Sequence, residues 1–118
     1  MSVRRGDVVL VDFPFAGGGA SKVRPALVVQ NDRDNGRLTN TVVAMITSRV
    51  QRAAEPTQLF LDVSTPEGKQ TGLIMNSVVN GVNLFTIEQR KVLLSLGRLS
   101  PALLRQIEDC LKAAFSLP

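Results

Sequence analysis

Lys22-Val23-Arg24-Pro25-Ala26-Leu27-Val28-Val29-Gln30-Asn31-Asp32 is a basic entry that runs into an apolar strand. It sets a permanently charged guanidinium beside a rigid proline, directly after the Gly17-Gly18-Gly19 triplet. That combination suits phosphate capture. Val23 to Gln30 and Thr41 to Thr47 are strand candidates whose near-continuous apolar character implies burial on both faces. Between them, Asn31-Asp32-Arg33-Asp34-Asn35-Gly36-Arg37 is dense in turn-forming residues and reads as a connecting turn.

Toward the N-terminus, Arg4-Arg5-Gly6-Asp7 is a charged turn that feeds a buried strand over Val8 to Phe13. Phe13 to Ser21 contains a proline and three consecutive glycines, so it must be a loop. A mobile lid over a site is one explanation of those glycines, and a plain hairpin connection is another. Toward the C-terminus, Thr57 to Val63 alternates with period two, with Thr57, Leu59, Leu61 and Val63 on one side and Gln58, Phe60 and Asp62 on the other. Ser64 to Gln70 is the next turn, Gly72 to Ser77 another strand, and Val78 to Leu84 its continuation past Gly81.

Thr86-Ile87-Glu88-Gln89 has capping-box spacing and is expected to open a single helical turn, after which Lys91 to Gly97 returns to a strand-like run. Ser100-Pro101 then announces the one long helix, with serine as its cap and proline at its first position. Leu103, Leu104, Ile107, Leu111, Ala114 and Phe115 recur at helical spacing, so this helix packs on a sheet. Many short strands followed by an amphipathic helix indicate a mainly β fold, a small, strongly bent antiparallel sheet or barrel with the helix against it.

Composition narrows the chemistry. The 118 residues include no histidine, tyrosine or tryptophan, so the usual neutral-pH acid–base group is missing. Any catalysis must use arginine, lysine, carboxylates, hydroxyls or the backbone. Cys110 is the single cysteine, which excludes an intrachain disulfide and, with no histidine, a zinc site of the usual type. The net charge of +4 favours a polyanionic partner, although solubility alone also accounts for it. No run approaches the roughly 20 apolar residues needed to cross a bilayer, and no apolar signal region opens the chain. One domain over residues 1–118, acting in the cytoplasm with no membrane, is the expectation.

Taken in order, Arg5-Gly6-Asp7-Val8, the Gly-rich loop into Val23 to Asp32, Ala44-Met45-Ile46-Thr47-Ser48, and Asn83-Leu84-Phe85-Thr86-Ile87 resemble the MazF/PemK family of toxin endoribonucleases. The resemblance covers nearly the whole chain. It implies an SH3-like barrel shared with the CcdB group, a homodimer, and sequence-specific cleavage of single-stranded RNA with no metal or other cofactor. Cleavage in this family uses the substrate's own 2′-hydroxyl and leaves a 2′,3′-cyclic phosphate and a 5′-hydroxyl. It also implies a cognate MazE-like antitoxin whose C-terminal segment covers the RNA groove.

Residue by residue, the family's arginine in its Arg-Pro motif falls on Arg24 and its conserved threonine after the third strand on Thr47. A guanidinium and a hydroxyl can both donate to the oxygens of a phosphate that gains charge. Ser77, Asn80 and Asn83 are candidates for reading base edges, and Phe13 and Phe15 for stacking a base. Lys22, Ser48, Arg49 and Arg52 complete the expected RNA-binding set. Each has an ordinary structural explanation as well: turn residues, core anchors, solvated charges. Gly81 to Phe85 carries no charge, where some family members have an acidic residue and an arginine, so a second catalytic arginine is not expected there. The alternatives are a non-enzymatic CcdB-like DNA gyrase poison and a catalytically decayed module that still binds RNA or antitoxin.

Overall fold

In a computed structural model, which describes residues 2–13 and 22–118, six antiparallel strands form one sheet. The strands are β1 (Asp7–Phe13), β2 (Lys22–Val28), β3 (Asn40–Thr47), β4 (Gln58–Leu61), β5 (Ser77–Glu88) and β6 (Val92–Arg98). Their order across the sheet is β4-β5-β3-β2-β1-β6, with β4 and β6 at the edges. The sheet curls into a half-barrel, and the helix α3 (Pro101–Ala114) packs against β4 and β5. The loop over residues 14–21, with Phe15 and the glycine triplet, lies outside the described residues.

The apolar runs of β1 and β3 and the Ala26–Val28 end of β2 are buried on both sides, as continuous hydrophobic strands require, whereas Val23 at the start of β2 is exposed, against the expectation of burial along the whole run. Val8, Leu27, Ala44 and Ile46 point into a core closed by Leu103, Ile107 and Cys110 of α3. Val9, Val11, Phe13, Ala26, Val28 and Val43 form a second cluster on the opposite face. Ser100 caps α3, its hydroxyl accepting the Leu103 N–H at 3.2 Å, and Pro101 follows as the first helical residue. The apolar stripe of α3 stops short of Phe115, which lies past the helix end and is exposed.

Several connections differ from the sequence expectation for local reasons. Asn31 to Arg37 is a one-and-a-half-turn helix, α1 (Asp32–Arg37), because Asn31 caps it by accepting the Asp34 N–H at 2.9 Å. Buried Asn35 ties α1 to the sheet by donating to the Gln30 carbonyl and accepting from the Thr41 hydroxyl. Ser64 to Gln70 likewise contains a short helix, α2 (Pro66–Gln70), capped by Thr65. Gln58, expected on the outward side of β4, is buried and donates to Thr57 and Asn80. Thr86 caps nothing. It stays in β5 paired with Val42, and the helical turn, a 3₁₀ segment, comes later at Gln89–Lys91.

The largest departure is at 72–76, which is irregular where a strand was expected. Gly72 has φ +74°, and a methyl group there would overlap the Leu96 carbonyl of β6. The left-handed turn removes Leu73, Ile74 and Met75 from any ladder. Ser77 Oγ then donates to the Met75 carbonyl at 2.9 Å, fixing the loop to the start of β5.

Gly72→Ala is expected to destabilise the fold by about 2 kcal/mol or more, from the left-handed conformation and the backbone overlap together. Urea denaturation compared with wild type measures this. Asp32 gives a pH prediction. The Arg5 N–H, which donates to its carboxylate at 2.7 Å, and then the Asn35 amide hold its pKa below the ordinary 3.8. A folded value below the unfolded one adds stability above the ordinary pKa, and that stability is lost as the pH falls through the folded value. Asp32→Asn is therefore expected to flatten the decline of the urea midpoint below pH 3.8.

Candidate functional site

β2 and β3 pair through Ala26↔Met45, Leu27↔Ala44 and Val28↔Val43. Carrying this register two residues further sets Arg24 across from Thr47, on the sheet face that also carries Ala26, Val28 and Val43. On the other side of β3, the pairing with β5 slips between Ala44↔Leu84 and Ile46↔Val79. Residues 80–83 of β5 thus stand opposite Met45 alone, and the bulge turns Asn83 toward the same place. The loop 72–76 closes the third side.

The result is a cleft of about 550 Å³ lined by Arg24 and Pro25 from β2, Met45 to Arg49 at the end of β3, Leu73, Ile74, Met75, Ser77 and Asn83. Its size falls within the roughly 300–1,000 Å³ of small-ligand sites. No carboxylate is among the described lining residues. Neither Arg24 nor Arg49 forms an ion pair among the described residues, whereas five other arginines do. Both are surface-exposed, so two guanidinium groups face solvent in one concavity with their charge uncompensated.

Thr47 is held by its own chain. Its Oγ1 accepts the Arg49 N–H at 3.1 Å, an ST-turn that occupies one lone pair and leaves the hydroxyl proton to be donated elsewhere. The site therefore offers a fixed hydroxyl donor beside a guanidinium. Ser77 is buried and committed to the Met75 carbonyl, while Asn83 is exposed and lines the cleft.

Of the residues singled out in the sequence, Arg24, Thr47, Ser48, Arg49, Ser77 and Asn83 come together here. Asn80 does not. Its amide oxygen accepts from Gln58 and from the Val82 N–H, which stabilises the β5 bulge. Arg52 is also elsewhere, gripping Glu55 with Nε and Nη2 at 2.9–3.0 Å. Lys22 lies at the start of β2, opposite Phe13, and outside the cleft lining. Phe13 itself is buried against Phe85 in an edge-to-face pair with ring centroids 5.4 Å apart, which leaves it no open face for a base.

Sequence reasoning missed Leu73, Ile74 and Met75, since an apolar triplet flanked by turn formers reads as a core strand. The only signal was Gly72, whose need for positive φ becomes visible once β6 is in place. A second concavity, between α1 and the 3₁₀ turn, is lined by Ser2, Asn35, Gly36, Leu38, Thr39 and Glu88 to Arg90. Several of its polar groups are engaged: Gln89 Nε2 donates to the Asn35 and Leu38 carbonyls, and Arg90 pairs with Glu88. No group of three or more Cys, Asp or Glu side chains able to hold a metal ion occurs among the described residues, and no helix is long and apolar enough to cross a membrane.

Comparison with known proteins converges on one family. The model of the PemK-like, MazF-like toxins of type II toxin–antitoxin systems matches residues 4–115. Endoribonuclease EndoA of Bacillus subtilis is 30% identical over 118 residues, 99% of this chain and 97% of the relative. Among solved structures, an endoribonuclease in complex with its cognate antitoxin, from mycobacterial species, superposes with TM-score 0.77 at 25% identity, over 99% of this chain and 98% of its own. A MazE–MazF structure from Deinococcus radiodurans, at 18% identity and covering 100% of both chains, has the same fold with TM-score 0.77.

Proposed function

From a chain that belongs to the PemK-like, MazF-like toxins of type II toxin–antitoxin systems, we propose that its cleft is the active site of an endoribonuclease that cuts single-stranded RNA sequence-specifically and without a metal. The observation that carries this reading is the pairing of uncompensated Arg24 with the tethered Thr47 hydroxyl in one concavity.

In the proposed reaction the substrate's 2′-oxygen attacks the adjacent phosphorus. The 2′-O–P bond forms as the P–O5′ bond breaks, giving a 2′,3′-cyclic phosphate and a 5′-hydroxyl. The proton lost by the 2′-hydroxyl is balanced by the one gained at the 5′-oxygen, so no co-reactant is needed. Charge builds on the non-bridging oxygens as five-coordinate phosphorus forms. Arg24 supplies a charge-assisted donor there, and Thr47, with a lone pair already held by the Arg49 N–H, supplies a preoriented neutral one. Arginine stays protonated at neutral pH, so its role is donation. Arg49 and Ser48, which line the same cleft, would hold a neighbouring phosphate, and the Asn83 amide would read a base edge.

The same reading takes residues 1–118 as one toxin domain that works in the cytoplasm as a homodimer and is silenced by a MazE-like antitoxin laid over the cleft. The antitoxin complex of the mycobacterial relative supports the last point. The edge strand β6, with Leu93 and Leu94 more than half exposed, and the exposed Phe115 and Leu117 offer apolar surface for a second copy.

Incubated in EDTA with a long unstructured RNA, the wild-type protein is expected to give discrete cuts with 5′-hydroxyl ends. Arg24→Ala should slow cleavage on the order of 10²–10³-fold, the cost of losing one preorganised donor. Thr47→Val should be similarly impaired and Thr47→Ser largely active, since serine keeps the hydroxyl. Intact RNA with folded wild-type protein, or full activity in Arg24→Ala, would contradict the reading. The first result is the one a gyrase poison would give.

A further inference from the structure

Ile74 is 94% exposed and Met75 55% exposed, yet both lie on a loop that is fixed at each end. Gly72 abuts the Leu96 carbonyl, the Leu73 N–H donates to Thr71 Oγ1 at 3.2 Å, Asn76 Oδ1 accepts the Val63 N–H at 2.9 Å, and Ser77 holds the Met75 carbonyl. An aliphatic side chain presented almost wholly to water from an anchored loop contributes little to the fold. Its position gives it a use, because Ile74 and Met75 form part of the lining of the cleft that holds Arg24, Thr47, Arg49 and Asn83.

We propose that Ile74 and Met75 are an apolar platform against which one unpaired nucleobase of the RNA, adjoining the cleaved phosphate, packs its face. This inference rests on the nuclease reading of the cleft and adds a specificity element to it. The cleft matches the three parts of a nucleotide separately: guanidinium groups for phosphate, an amide for the base edge, and an apolar surface for the base face. Unpaired bases gain most from burying their faces, and Phe13, the one aromatic candidate among the described residues, is already buried. With no carboxylate among the described lining residues, the phosphates on either side of that base meet only positive or neutral groups. Because the loop is ordered by its own hydrogen bonds, contact with the base requires little further loss of freedom.

The test is a matrix of kcat/KM values. One axis holds wild type, Ile74→Leu and the double variant Ile74→Ser/Met75→Ser. The other holds an RNA with a mapped cut site and the same RNA with a single abasic ribonucleotide at each flanking position. Exposed positions tolerate such changes, and urea midpoints verify that the variants fold. The double variant is expected to lose about tenfold on intact RNA, the low end of what one base contact is worth, while Ile74→Leu retains activity. At one flanking position the abasic RNA should slow wild type by a similar factor and slow the double variant no further. Losses that add at every position, or a double variant that cuts like wild type, overturn the platform and leave the nuclease reading standing; the latter result would give the patch to a protein partner. A wild type that neither cleaves nor binds the intact RNA overturns both.

Discussion

A one-residue slip between β2 and β3 would turn Arg24 and Thr47 to opposite faces of the sheet, because side chains alternate with period two. The register Ala26↔Met45 and Leu27↔Ala44 is therefore the constraint on which the site depends. It is enforced by burial on both faces. Leu27 and Ala44 belong to the core under α3, while Ala26, Val28 and Val43 belong to the cluster on the other side, so either slip would exchange two fitted sets of side chains. Arg24 and Thr47 lie just beyond the last paired residues, where the strands leave the core and their polar ends can open to solvent.

The same central strand places the rest of the cleft. β3 makes its widest contact with β5, and the slip in that ladder opposite Met45 is what brings Asn83 toward the cleft and sends Asn80 toward Gln58. Two asparagines three positions apart thus take different roles, one structural and one facing the cleft. The loop 72–76 depends on a contact between distant parts of the chain, Gly72 against the Leu96 carbonyl of β6. β6 is held in turn by β1, so the cleft wall is fixed by the opposite edge of the sheet.

The strands and the long helix were legible because their patterns are local: continuous apolar runs for β1, β2 and β3, alternation at Leu59 to Leu61, and Ser100-Pro101 ahead of a helical stripe. Short helices were not. Asn31 and Thr65 are strong caps, but each opens only five or six residues, a length over which composition reads simply as turn. At Thr86 the spacing suited a cap while the β-branched neighbours suited a strand, and pairing with Val42 decided it. Arg24 drew attention through its charge beside Pro25 after the glycine triplet, Thr47 only through the family resemblance, and Asn83 as one of several polar residues near the segment that departs from the family pattern. Ile74 and Met75 were not accessible at all, since what marks them is exposure, and exposure here is set by a backbone contact between residues 24 positions apart, Gly72 and Leu96.

The central claim is that one phosphate of single-stranded RNA sits between Arg24 and Thr47. The most direct measurement is an NMR titration of the full chain with an oligonucleotide carrying the cut sequence and a 2′-deoxy sugar at the cleaved position, which can bind but cannot cyclise. The account predicts chemical-shift changes centred on Arg24, Thr47, Arg49 and Asn83, with the Arg24 side-chain N–H signals shifting most. Saturable binding that leaves those residues unmoved and perturbs another surface would contradict it.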